Sequence, residues 1–160
     1  MELELRYDLE GTGWADVVLG IGDVKAVMTA SYLHDSLKQL AAAALALVDG
    51  QDEAVVVFMD EPGEHQLHVH RTTADQILLE IRSYDDWASW NLQSDSAFSV
   101  VGRGECSCRQ FVRAVLSALD GILEKHGEAG YHEIWVEHEF PVEEHQCLRE
   151  RMRQITTRCT

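Results

Sequence analysis

Apolar and polar residues alternate from the start of the chain, with Leu3, Leu5, Tyr7 and Leu9 on one side and Glu2, Glu4, Arg6, Asp8 and Glu10 on the other. Successive strand side chains point to opposite faces, so this pattern predicts a strand with one buried and one wet face. Gly11-Thr12-Gly13 breaks the run, Val17, Leu19 and Ile21 resume it from Trp14, and Gly22-Asp23 offers a second turn before Val24 to Ala30. Three strands in a meander follow. The period then changes: Leu33, Leu37, Leu40, Ala44 and Leu47 share a helical face, Asp35 or Ser36 can cap its start, and Gly50 stands just past its end. A helix over 36–48 is predicted.

Ala54 to Met59 is a β-branched and aromatic run, and Pro62-Gly63 supplies the two central residues of a type II turn. With a two-residue turn, Asp60 pairs with His65, Phe58 with Leu67 and Val56 with Val69, which puts the second apolar set, Val55, Val57 and Met59, on the opposite face with Gln66, His68 and His70. Gln76 to Arg82 alternates likewise, and only an odd loop around Thr72 to Asp75, three or five residues, keeps the apolar sets together. Tyr84 to Ser96 has no period and reads as a loop pinned by Trp87, Trp90 and Leu92, and the face bearing Val55, Val57, Met59 and the two histidines is either covered by it or is a binding face. Ala97 to Val101 reads as a short strand. From Ser107 to His126 a wide apolar stripe, Phe111 to Leu123, predicts a long helix with Ser107 as its N-cap and Gly127 at its end.

Ile134, Val136 and Phe140 alternate with Glu133, Trp135, Glu137 and Glu139, predicting an edge strand over Tyr131 to Phe140. A last helix, about 142–156, packs Leu148, Met152 and Ile155, with acidic residues in its first turn and Arg149, Arg151 and Arg153 later. The expected architecture is one α+β domain over 1–160: a single, largely antiparallel sheet of seven to eight strands with three helices mainly on one face.

Composition narrows the function classes. The 160 residues carry 13 Lys plus Arg against 28 Asp plus Glu, a formal net charge of −15. A polyanion is repelled by such a surface, so nucleic acid is not an expected partner and a basic protein is. Four cysteines are too few for a disulfide framework, the first residues do not read as a signal peptide, and the longest apolar run, Leu40 to Val48, is half a membrane span. A cytoplasmic protein without membrane contact is expected.

Candidate chemistry is sparse. His68 and His70 share a strand face and Glu80 is the nearest third ligand, but no Cys or third His completes a metal set. Cys106-Ser107-Cys108 stands where a helix N-terminus can lower a thiol pKa, yet the C-x-C spacing matches no redox or zinc motif, and Cys147 and Cys159 add no matching pair. Gly102-Arg103-Gly104 and Gly20-Ile21-Gly22 fail the dinucleotide fingerprint, the first for want of a βαβ unit and the second because a strand follows it. The segment 128–145 is the densest acidic patch, with Glu133, Glu137 and Glu139 at its centre and no Lys or Arg.

Asp60-Glu61-Pro62-Gly63-Glu64, Gly104-Glu105-Cys106-Ser107-Cys108-Arg109-Gln110-Phe111 and His126-Gly127-Glu128-Ala129-Gly130-Tyr131 resemble stretches of a family of small acidic, uncharacterised bacterial proteins, along the whole chain. The resemblance implies an intracellular bacterial protein and carries no activity, cofactor or catalytic residue. In size and composition the chain is also similar to toxin-neutralising immunity proteins. The first expectation is therefore a non-enzymatic binding protein, with no cofactor. It recognises a protein partner through the acidic patch or through the face bearing Val57, Met59, His68, His70, Glu80 and Arg82. The alternatives are a metal-dependent or small-molecule enzyme built on His68, His70 and Glu80, and a structural homodimer that buries the second sheet face.

Overall fold

Seven strands and three helices account for residues 3–158, the part of the chain that the computed structural model describes; Glu2 and Cys159 lie outside it. Strands β1 (Leu3–Leu9), β2 (Trp14–Ile21) and β3 (Val24–Ser31) form an antiparallel meander in that order. Helix α1 (Ser36–Val48) follows, with the Asp35 side chain accepting a hydrogen bond from the Lys38 amide at its start and Gly50 at φ +97° just past its end. Leu37, Leu40, Ala44 and Leu47 are its buried face, and Leu33 falls in the turn before it.

A second antiparallel sheet is built from β4 (Glu53–Met59), β5 (Glu64–Arg71), β6 (Gln76–Tyr84) and β7 (Ser99–Ser107), in that order. The expectation of one continuous sheet is corrected here: the strands form sheets of three and four. The reason lies at the free edge of β4, where joining the first sheet would need a ladder. The Ser36 hydroxyl donates to the Val57 carbonyl (2.7 Å) and the Val57 amide donates to Gln39 Oε1 (2.7 Å), so the start of α1 takes those backbone groups. Satisfying an edge with side chains stops the ladder from extending.

Three further expectations are corrected. The turn after β4 is the four-residue loop Asp60 to Gly63, with a cis Glu61–Pro62 bond and Gly63 at φ +99°. The register consequently moves by two residues, Val56 opposite Leu67 and Phe58 opposite His65, which preserves the faces because the side-chain period is two. The loop between the last β5–β6 pair, Arg71 and Ile77, has five residues, 72–76, as the parity argument requires. Strand β7 runs on to Ser107, beyond the expected stop at Val101, so Gly102-Arg103-Gly104 is strand and not loop. Its glycines face the first sheet: a Cβ on Gly104 would stand 2.6 Å from Ile21 Cγ2 and one on Gly102 2.7 Å from Val24 Cγ1. Only glycine lets the two sheets approach so closely.

Helix α2 (Cys108–Trp135) begins with a capping box: Ser107 Oγ accepts from the Gln110 amide (3.0 Å) and Gln110 Oε1 accepts from the Ser107 amide (2.9 Å). It kinks at Gly127, at φ +69°, and resumes, so the strand expected over Tyr131 to Phe140 is helix as far as Trp135. Tyr131 and Trp135, four apart, are both fully buried and pack with Tyr7 and Phe140, whereas the alternation would have left Trp135 wet. Helix α3 (Val142–Arg158) buries Leu148 and Met152, with Ile155 partly buried. No helix among the described residues is long and apolar enough to cross a membrane.

Candidate functional site

Residues of odd number in β4 and their partners share the outer face of the four-stranded sheet, turned away from the main core. The register aligns Met59 with Glu64 and Tyr84, Val57 with Gln66, Arg82 and Val100, Val55 with His68, Glu80 and Arg103, and Glu53 with His70, Leu78 and Glu105. All six residues singled out from the sequence, Val57, Met59, His68, His70, Glu80 and Arg82, therefore stand on one surface. They do not share one environment.

The segment after β6 folds over the β4, β5 and β6 residues of the first two rows and leaves Val100, at the β7 edge, exposed. Trp87 Nε1 donates to the Asp60 carbonyl (2.7 Å), the Ser89 amide and hydroxyl donate to the two Glu64 carboxylate oxygens (2.9 and 2.8 Å), and the Tyr84 hydroxyl donates to the Asp95 carbonyl (2.7 Å). Beneath it Met59 is 0% and Glu64 1% exposed, and Val57 and Gln66 are buried. Val57 and Met59 are thus packing residues under a loop, a correction to their place on an open recognition surface. Trp87 and Ala88 pin the segment, while Trp90 and Leu92, expected to do so as well, stand exposed.

From Glu64 a hydrogen-bonded chain leads out of the sealed half. Gln66 Nε2 donates to Glu64 Oε2 (2.7 Å), which turns Gln66 Oε1 to His68 Nε2 (2.8 Å). A carboxylate only accepts, so the amide oxygen faces the ring and His68 Nε2 carries hydrogen. Burial holds the His68 pKa below its ordinary value, with the Arg82 guanidinium acting in the same direction and Glu80 and Glu53 against. The period of two places Gln66 and His68 on one face, so that part was legible in the sequence; Glu64, read there as part of the turn, and Ser89, on the loop, had no such signal.

Beyond His68 the face is open, a groove of about 280 Å³ lined by Val55, His68, His70, Leu78, Glu80 and Arg103. Its charges are paired among themselves. Arg82 Nε donates to Glu80 Oε1 (2.6 Å) and its guanidinium lies 4.3 Å from the Phe98 ring centroid; Arg103 Nε is 3.7 Å from Glu80 Oε2; His70 Nδ1 is 3.2 Å from Glu53 Oε1. His68, His70 and Glu80 thus turn to three different partners rather than to one point. No group of three His, Cys, Asp or Glu among the described residues could hold a metal ion.

The acidic patch does not form the single strand surface expected of it. Glu133 is exposed on α2, while Glu137 and Glu139, in the link to α3, join Asp35, Glu143 and Glu144 around a groove of about 460 Å³, with Lys38 3.9 Å from Glu144. His138 ties this link down, its Nε2 donating to the Tyr32 carbonyl (3.0 Å) and its Nδ1 3.7 Å from Asp35. The thiols run opposite to a helix-terminus effect: burial pushes Cys106, at the end of β7, up to about 11 and raises Cys108 as well.

No family model, no curated protein and no solved structure matches this chain.

Proposed function

We propose that the chain is a non-enzymatic binding protein that holds a protein partner against the open half of the outer sheet face. One observation carries this reading: beside the sealed half, the sheet leaves Val55 (39% exposed) and half-buried Leu78 uncovered, framed by charged side chains already paired within the chain. Pre-paired charges around apolar ground give a partner an orienting rim without leaving an unpaired charge buried. A free acid, base or metal set, which an enzyme on this face would need, finds no support when Glu80 lies between two arginines and His68 is bonded to Gln66. The net charge of −15 favours a basic partner by steering its approach, in the manner of a neutralising protein acting in the cytosol.

Affinity capture from cells of the source organism tests the reading, with the Val55→Asp/Leu78→Asp chain beside the unmodified one. A protein captured by the unmodified chain, lost with the double variant and kept with Glu137→Lys, is the expected result. A protein retained by the double variant overturns it. So does a small molecule that strongly raises the melting temperature when no protein is captured.

A further inference from the structure

The two edges of the four-stranded sheet are treated differently. At β4 the Ser36 and Gln39 side chains take the Val57 backbone groups, so that edge is closed by α1. At β7 no hydrogen bond from outside β6 reaches the backbone of residues 99–106 among the described residues, and Val100 (52%), Val101 (47%) and the Arg103 side chain (61%) are exposed along it. A nine-residue edge with apolar side chains and unpaired backbone groups is a template for another strand.

The geometry points to a second copy of this chain as that strand, paired antiparallel through β7 about a twofold axis at Gly104. The outer-face charges of β7 select this occupant and this register. Across a twofold axis perpendicular to the sheet, opposed residues must lie on the same face. An axis at Arg103 sets Arg103 against Arg103, and one at Glu105 sets Glu105 against Glu105. An axis at Gly102 sets Arg103 against Val101 and leaves both charges without an opposite. At Gly104, each Arg103 faces the Glu105 of the other copy, giving two equivalent ion pairs. Arg103 keeps its reach to Glu80, because a guanidinium offers five donors. The Val101 bulge lies outside the central pairs. The product is a continuous eight-stranded sheet whose two outer faces lie side by side.

The proposed partner's ground runs from Val55 on β4 to Leu78 beside Glu105 and shares the Arg103 rim, but self-association of the purified chain is read without that partner, so the two readings fail separately. Sedimentation equilibrium of the purified chain tests it. A dimer is expected, and a monomer at ~200 µM overturns it. Arg103→Glu and Glu105→Arg each turn two attractions into repulsions and are expected to weaken the dimer by roughly tenfold or more. The double swap Arg103→Glu/Glu105→Arg restores opposite charges and is expected to recover the dimer. Arg103→Glu also removes the Glu80 contact, so circular dichroism checks its fold; Glu105→Arg breaks no such pair. A dimer indifferent to the single swaps, or one that the double swap fails to restore, overturns the twofold at Gly104.

Discussion

The outer face of the four-stranded sheet is one surface by strand register and two by environment. Met59 and Val55 stand four residues apart on the same strand and the same face, yet the first is fully buried and the second 39% exposed. The difference comes from the segment after β6, fastened by the Trp87 and Ser89 hydrogen bonds. Strand alternation decides which way a side chain points; what lies above it decides whether it is core. The largest expected effect follows directly. Met59→Ala removes a fully enclosed side chain and should cost about 3 kcal/mol in urea unfolding, against about 0.5 kcal/mol or less for Val55→Ala. Equal losses would mean that the two halves are not different environments.

A second contrast sets one glutamate against another. Glu64 is buried and accepts from the Ser89 amide, the Ser89 hydroxyl and Gln66, whereas Glu80 is half-buried between two arginines. Glu64→Ala strands three donors and should cost about 2–3 kcal/mol. It should also speed hydrogen exchange at the Ser89 amide and shift Trp87 fluorescence to the red. Glu80→Ala, in partly solvated surroundings, should cost about 1 kcal/mol or less. If fluorescence and exchange stay put in Glu64→Ala, the carboxylate is not what holds the loop.

Much of this division was written in local pattern. Period-two alternation placed β1 to β6 and put Gln66, His68 and His70 on one face, and the apolar stripe with its Ser107 cap located the start of α2. What escaped depends on contacts distant in sequence. Ile134, Val136 and Phe140 alternate like a strand while Tyr131 and Trp135 repeat like a helix; packing against Tyr7, more than 120 residues away, favours the helix. Gly102 and Gly104 look like strand breakers until Val24 and Ile21 are known to lie against them. The division into two sheets rests on Ser36 and Gln39 reaching Val57, and nothing in β3 or β4 announces it. The seal over Met59 was legible only as one of two alternatives, a face covered by residues 84–96 or left free to bind: the covering segment has no period, and how far it reaches depends on Trp87 and Ser89 meeting Asp60 and Glu64.

Ser89 also allows a finer cut. Ser89→Ala removes the hydroxyl bond to Glu64 Oε2 and keeps the amide bond to Oε1, so it should cost about 1 kcal/mol, well below Glu64→Ala. In the Glu64→Ala background the same change should cost little, because its acceptor is already gone. Full additivity would show that the two groups do not act together.

The smallest expected effect is at His68, where the two halves meet. Its folded-state pKa lies below the ordinary 6.5, first because burial disfavours the imidazolium. Between the folded value and 6.5 the unfolded chain binds more protons, so stability falls as the pH is lowered through that window. The contribution is complete above about pH 6.5, set by the ordinary value, and is lost once the pH has passed below the folded value. His65, also held low by burial, adds a decline of the same sign. Unfolding at pH 7.5 and 5.0 should therefore show a smaller difference in His68→Gln than in the unmodified chain, and His68 should titrate below 6.5 by NMR. Glu64→Ala opens the Gln66 end of the ring to water, which should bring the titration back towards its ordinary value. An unchanged titration would mean that the loop does not shield His68, and the line between sealed and open halves would then run at Gln66 itself.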